Sequence, residues 1–345
     1  RRAWPGPAPC AFRRAPDLRP REGPCRCMRR RAAASPRPFP RRRIRDTSVV
    51  TMTPGPELLQ PGLRRLRAPN PSPMTERGTN TYLLGATDLA IIDPGPDDPA
   101  HLDAILASLA PGQRIVRILV THPHRDHSAL APRLAAVTGA PVWGFGPAGT
   151  GRSPTMARLA AGGLAGGGEG VDRTFAPDLR VAEGATLSGP DWRLQVIEIP
   201  GHMAGHLGFI LGDAIFTGDT VMGWASSLVS PPDGDVTAFL ASCRRLAALR
   251  ARVLLPGHGD VVADPATRLA ELVAHREARD AQIRAHLARG PATIPDIVAA
   301  LYADTPPALR PAAERNVFAH LIAAWEAGGI RARPALSPTA TFALP

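Results

Sequence analysis

Residues 121–127, Thr-His-Pro-His-Arg-Asp-His, set three imidazoles and a carboxylate within six positions, directly after the apolar run Ile115 to Val120. The run reads as a buried strand, so the four polar groups fall on the loop at its end. Such a loop can aim neighbouring side chains at two adjacent points, which is what a pair of divalent cations requires. Imidazole mixed with carboxylate suits zinc, and iron, manganese or nickel as well. One histidine there would read as a cap on a surface turn; the H-x-H-x-D-H grouping does not.

Three more apolar runs end on residues of the same chemistry. Leu194 to Ile199 leads into Pro200-Gly201-His202, Ala214 to Phe216 into Thr217-Gly218-Asp219, and Val253 to Leu255 into Pro256-Gly257-His258. Rival chemistries lack their motifs: no serine sits in a G-x-S-x-G elbow, and no P-loop lysine is present.

With these motifs the chain resembles the metallo-β-lactamase superfamily, in particular its glyoxalase-II-like and RNase-like two-metal branch. The resemblance implies that His122, His124 and His202 hold one metal, that Asp126, His127 and His258 hold the other, and that Asp219 bridges them. Asp219 stands where the antibiotic-degrading zinc lactamases have cysteine, so antibiotic hydrolysis is not implied. Asp93, in Ile91-Ile92-Asp93-Pro94-Gly95, matches the family's first motif, whose aspartate steadies the histidine loop from behind. His206 reads as a supporting residue of the same kind. The implied cofactor is two divalent ions, Zn in the first place with Mn or Fe as alternatives. Such ions, about 3.5–4 Å apart, share a hydroxide whose parent water has a pKa of roughly 7. Asp126 would orient that hydroxide and relay its proton.

Strand-like runs at Thr81 to Leu84, Leu89 to Ile92, Ile115 to Val120, Val142 to Phe145 and Leu194 to Ile199 are separated by helical patterns such as His101 to Leu109 and Ala129 to Thr138. That order agrees with what the resemblance implies, an α+β chain folded as a four-layer αβ/βα sandwich with the metals at one edge of its sheets. Beyond Pro265, Thr267 to Leu287, Thr293 to Tyr302 and Pro311 to Ala327 read as helices, and Ile330 to Phe342 is β-prone. Three helices and a hairpin describe a small winged-helix domain. The expected division is an extension over 1–51, a catalytic domain over 52–264 and the winged helix over 265–345. The whole resembles the lactamase-β-like hydrolases, whose animal members are endoribonucleases selective for single strands. The likeness runs from about Arg67 to Arg333 and includes Gly78-Thr79-Asn80-Thr81-Tyr82, Gly205-His206, Pro231-Pro232-Asp233 and His275-Arg276.

Three activities stay open: metal-dependent cleavage of single-stranded RNA, hydrolysis of a thioester or other small acyl substrate as in glyoxalase II, and DNA binding by a regulator with an idle enzyme domain. An intact ligand set argues against the last. From Ala266 onward nine arginines face seven acidic residues, a weak footprint for phosphate binding. A role for the winged helix in shaping the pocket or a homodimer interface is equally compatible. Aromatic residues make up only 5% of the chain, which leaves few platforms for stacking bases.

The net charge of +11 does not help to choose, because it belongs to one segment. Residues 1–51 carry 15 arginines against Asp17, Glu22 and Asp46, whereas the remainder has 26 arginines against 27 acidic residues. All 41 basic residues are arginine, which points to a GC-rich coding sequence rather than a selected basic surface. The first 51 residues also contain nine prolines, with Cys10, Cys25 and Cys27, and show no apolar periodicity, so disorder is expected. Cys25-x-Cys27 lacks a second pair at finger-like spacing and is not read as a metal site. With no long apolar run and no signal-peptide pattern, a soluble cytoplasmic protein without a membrane partner is expected.

Other residues draw attention for weaker reasons. Trp224, Ser226 and Ser227 follow Asp219 closely and could line the substrate pocket or simply shape a loop. His101, His275, His286 and His320 lie on helical patterns and read as surface or packing residues. Cys243, in the helical pattern Val236 to Leu249, reads as a buried apolar residue, and Gly162 to Gly170 as a loop flanking the mouth of the site. The composition break places the true start at Met52, so mass spectrometry of the endogenous protein is expected to find no peptide from upstream of it. Recovery of such peptides would refute that start.

Overall fold

The computed structural model describes residues 55–166 and 170–345. The segment 1–51, Cys25-x-Cys27 and Met52 lie outside the described residues, as does the centre of the glycine-rich run at 167–169.

Strand β1 (Glu57–Gln60) turns back onto β2 (Leu63–Arg67), and β3 (Asn80–Leu84) and β4 (Asp88–Ile92) continue the sheet antiparallel. Helix α1 (Pro99–Ala107), capped by the Asp98 carboxylate, crosses to β5 (Arg114–Leu119), which lies parallel to β4. The helical turn α2 (Arg125–Ser128), α3 (Ala131–Thr138), β6 (Val142–Gly144), α4 (Pro154–Ala161) and β7 (Leu179–Arg180) complete a seven-stranded sheet in chain order. A five-stranded sheet follows, built from β8 (Thr186–Ser188), β9 (Arg193–Glu198), β10 (Leu207–Leu211) and β11 (Ala214–Gly218). Helix α5 (Val236–Leu249) then crosses to β12 (Val253–Pro256), parallel to β11.

Period-two alternation assigns each strand face to a layer. In β4, Ala90 and Ile92 pack between the sheets, while Leu89 and Ile91 pack with Leu102 and Ile105 of α1 and Leu134 of α3. In β11, Ala214 and Phe216 turn to the first sheet and Ile215 joins Phe239 and Leu246 of α5. Strands covered on both faces read as continuous apolar runs. The result is helix, sheet, sheet, helix, the four-layer αβ/βα sandwich.

Helix α6 (Pro265–Leu287) opens the C-terminal part, capped by Asp264 with Pro265 in its first turn. It is followed by α7 (Ile294–Leu301), with a reciprocal capping box between Thr293 and Asp296, by α8 (Arg310–Glu326), and by the hairpin of β13 (Arg331–Arg333) and β14 (Thr341–Ala343). This is a winged helix. The expected junction at 264/265 marks where α6 begins, but the change of core occurs inside that helix. Leu269 and Leu272 pack with α5, whereas Ile283 and Leu287 pack with α7 and α8. The middle of helix α8 is enclosed, every residue from Val317 to Ile322 being buried, whereas Arg310, Pro311 and Glu314 in its first turns are exposed.

The sequence reading did not name β1, β2, β7, β8, β10 or α4. In β2, Leu-Arg-Arg-Leu-Arg, three arginines mask the alternation. Arg65 is nevertheless buried, held by Glu57 and by the Gly259 carbonyl at 3.2 Å. Among the described residues no helix is long and apolar enough to cross a membrane.

Phe216 meets Tyr82 edge-on across the inter-sheet core, ring centroids 5.1 Å apart. Phe216→Ala is expected to cost about 3–5 kcal/mol of stability, measured by denaturant unfolding.

Candidate metal centre

Four strand ends meet at one edge of the sandwich. The turn after β5 contributes His122, His124, Asp126 and His127, and the turns after β9, β11 and β12 contribute His202, Asp219 and His258. All seven are buried, between 0% and 7% exposed. Glycine is required in these turns. A Cβ at Gly257 would lie 2.5 Å from Asp219 Oδ1, and at Gly201, where φ is +140°, one would lie 2.3 Å from the Phe239 backbone.

The side chains fall into two groups. His124 Nδ1 is 3.0 Å from both His122 Nε2 and His202 Nε2, with Asp219 Oδ2 at 4.0 and 3.7 Å from the same two nitrogens. In the second group, His127 Nε2 and His258 Nε2 are 3.2 Å apart, and Asp126 Oδ2 lies 3.5 and 3.1 Å from them. Asp219 stands between the groups, its oxygens 3.4 Å from His127 Nε2 and 3.3 Å from His258 Nε2. Nitrogen ligands 2.0–2.1 Å from a tetrahedral cation are separated from each other by about 3.3 Å, so the donor spacing fits. Both Asp126 oxygens and Asp219 Oδ1 are buried without a well-directed hydrogen-bond donor among the described residues. Buried anionic oxygens left in that condition are costly, and a cation would answer them.

Electrostatics separates the two groups. Burial holds His122 well below the usual imidazole value and His124 at about 3, helped by neighbouring histidines, and burial also lowers His202. These rings are neutral, as ligation requires. Burial would also lower His127 and His258, but the carboxylates override it. Asp126, Asp219 and Asp93 hold His127 well above its ordinary value, and Asp219 and Asp126 bring His258 to about 9. Conversely, burial would raise the two carboxyls, but His127 and His258 hold Asp126 at about 2 and Asp219 well below the carboxylate range.

Asp93 lies behind the loop with φ at +52°. It accepts from the Thr121 amide and hydroxyl, both at 2.8 Å, and lies 2.9 Å from His127 Nδ1, which turns Nε2 of that ring toward the cluster. His206 does not join either group. Its ring stacks on His122 at 4.6 Å, and its Nε2 accepts from the Asp219 amide at 3.2 Å. The Gly78-Thr79-Asn80-Thr81-Tyr82 motif braces the His258 turn. Asn80 donates to the Pro256 and Gly259 carbonyls at 3.0 and 2.9 Å, and the Tyr82 hydroxyl donates to Pro256 at 2.7 Å. Asp233 pairs with Arg152, and its carbonyl accepts from the Ala204 amide, two residues beyond His202.

Of the two roles open to Ser227, lining a pocket or shaping a loop, its contacts fit the second. It is 1% exposed and its hydroxyl donates to the Asp219 and Thr220 carbonyls, so it shapes the loop that carries Asp219. Ser226 and Trp224 are half-buried, and Trp224 packs beside Gly259. His101 is a packing residue, buried 2.9 Å from the Thr81 hydroxyl, and His320 is buried as well. His275 and His286 are half-buried on α6, and Cys243 is buried in the α5 core. The sequence reading gave no role to Arg268 and Asn316, whose side chains reach the loop after Asp219. No spacing rule marks a long polar side chain that reaches a backbone carbonyl.

Residues 74–258 match the family model of the metallo-beta-lactamase superfamily, and residues 293–322 that of the beta-lactamase associated winged helix domain. The chain is 28% identical over 290 residues to the beta-lactamase-like protein 2 homolog of Drosophila melanogaster, covering 77% of this chain and 89% of that protein. It is 29% identical over 237 residues to the atrochrysone carboxyl ACP thioesterase of Aspergillus fumigatus, covering 66% of this chain and 65% of the thioesterase. A solved metallo-beta-lactamase family protein from Thermus thermophilus superposes with a TM-score of 0.67 at 28% identity, covering 84% of this chain and all of the other.

A histidine whose folded pKa is about 9 adds stability that is complete below its unfolded value of about 6.5 and is lost as pH rises through 9. With a chelator present, the melting temperature is therefore expected to fall between about pH 6.5 and 9. Saturating zinc should reverse that trend, because a cation displaces the protons. A pH series of melting curves, with and without chelator, checks both.

Proposed function

The chain belongs to the metallo-β-lactamase superfamily and carries the winged helix domain associated with it, and from that premise we propose that it is a dinuclear metal hydrolase acting on a small acyl thioester. The convergence of seven buried ligand-type side chains, with three carboxylate oxygens lacking donors, carries the dinuclear reading. In it His122, His124 and His202 hold one cation, Asp126, His127 and His258 the second, and Asp219 both. Zinc suits this donor set, with manganese and iron as alternatives. Divalent cations bound there supply Lewis acidity, polarising the substrate oxygen and acidifying water to a pKa of roughly 7.

The chain's own groups orient the reaction. Asp126 remains ionised at neutral pH and has free lone pairs, so it accepts a hydrogen bond from the attacking water and aligns it with the acyl carbon. Asp93 keeps His127 aimed, and the Leu228 carbonyl does the same for His202. Water adds to the acyl carbon and the C–S bond breaks, giving an acid and a thiol.

Two observations favour a thioester. A relative at 29% identity is named a thioesterase. From Ala266 onward nine arginines stand against seven acidic residues, a weak footprint for phosphate binding. The same charge balance counts against a DNA-binding regulator. Cleavage of single-stranded RNA keeps one support, since the Drosophila relative is matched over 89% of its length and falls in the group that the sequence resemblance associates with that activity.

The full chain loaded with Zn or Mn, assayed on a thioester panel and on labelled single-stranded RNA, separates these readings. Thioester turnover is expected. Asp126→Asn and His202→Ala should each reduce kcat/KM at least about 100-fold with the fold retained. Undiminished turnover in either metal-verified variant would remove the mechanism, and RNA cleavage without thioester turnover would replace the substrate.

A further inference from the structure

The loop from Asp219 to Ser230 reaches the candidate centre at two points. The Ser227 hydroxyl donates to the Asp219 carbonyl, and the Leu228 carbonyl accepts from His202 Nδ1 at 2.7 Å. A carbonyl can only accept, so this contact places the ring proton on Nδ1 and leaves the Nε2 lone pair facing His124. The position of the Leu228 carbonyl therefore decides where His202 points.

The C-terminal helices hold that loop. Arg268 of α6 donates to the Met222 and Ala225 carbonyls at 2.8 and 2.6 Å. Arg276, two turns further along α6, donates to the Ser227 carbonyl and, at 3.0 Å, to Asn316 Oδ1 on α8. The same Asn316 oxygen accepts from the Val229 amide at 3.2 Å. Residues on both sides of Leu228 are thus tied to one Arg–Asn pair. Arg276 is only 3% exposed and no carboxylate among the described residues answers it; its guanidinium lies over the Phe239 ring at 5.1 Å. Burying a guanidinium without an anion is costly, and here its charge is spent on backbone and amide oxygens beside the centre.

The other half of the centre is oriented from within the catalytic layers. Asp93 sets His127, and His258 Nδ1 faces the Gly78 carbonyl at 3.4 Å. The dependence on α6 and α8 therefore falls mainly on the three-histidine half, with Asp219, common to both halves, touched by the same loop through Ser227.

We infer that Arg276 and Asn316 are positioning residues for the three-histidine half of the centre, through which the winged-helix domain fixes the His202 ring and so sets cation affinity there. The inference rests on the dinuclear reading. Removing a hydrogen-bond partner behind a metal ligand typically lowers affinity 10–100-fold. Asn316→Ala, Arg276→Met and Arg276→Lys in the full chain would be titrated with Zn against a chelator and with Co, whose absorption reports the ligand field. Arg279→Met is the matched control, since Arg279 lies on the same helix but stacks on Tyr302 and donates to the Leu301 carbonyl.

Asn316→Ala and Arg276→Met are expected to weaken one of two sites about 10–100-fold and the other by less. Arg276→Lys should recover part of the loss, and Arg279→Met should change neither site. Wild-type affinity at both sites in folded Asn316→Ala, or equal weakening of both, overturns the inference. Ring nitrogen-15 shifts of His202 in metal-free protein give a second readout, in which Asn316→Ala should lose the Nδ1–H tautomer. An unchanged tautomer overturns the clamp even if the wild type binds no cation, an outcome that by itself sinks the dinuclear reading. Two bound cations without hydrolysis would instead sink only the proposed activity.

Discussion

Asp126 and Asp219 place two ionised carboxylates inside a protein edge where no arginine among the described residues reaches them, and the surrounding structure answers that charge. Their oxygens lie 3.1–3.5 Å from the Nε2 atoms of His127 and His258, and they hold both imidazoles above the usual range. Water is largely excluded, so the attraction is poorly screened. The neutral rings of His122, His124 and His202 complete the set on the far side of Asp219.

The sandwich supplies the rigidity that such a site needs. Each ligand follows the end of a strand, those before Asp219 and His258 being buried throughout, and the glycines in the turns let backbone and ligand approach more closely than any side chain would allow. Behind the ligands stands a ring of acceptors, Asp93, the Leu228 carbonyl and the Gly78 carbonyl, each turning one imidazole nitrogen away so that the other faces inward. Orientation is thus set by backbone as much as by side chains.

That division explains what was legible in the sequence. His122, His124, Asp126 and His127 follow one another in a single turn, and His202, Asp219 and His258 each stand three positions beyond an apolar run, so the ligand set could be read directly. Helix α5 could be read as well, since an uninterrupted 3.6-residue pattern spans it. Strand β2 could not, because arginine stems packed along the sheet look polar in sequence. Ser227, whose place near Asp219 leaves a pocket role and a loop role equally open in the sequence, takes the second, its hydroxyl turning back to the main chain. Carbonyl acceptors such as Leu228 leave no trace in residue identity, and the long side chains that grip them cannot be told from solvated charges.

Helix α6 contributes its first turns to the hydrophobic layer over the second sheet and its last turns to the interior of the winged helix. Neither part can melt without stripping a wall from the other, and the described residues from Gly55 onward form one compact unit. The two parts are therefore expected to unfold in a single cooperative transition, which makes the boundary between them one of shape rather than of thermodynamics.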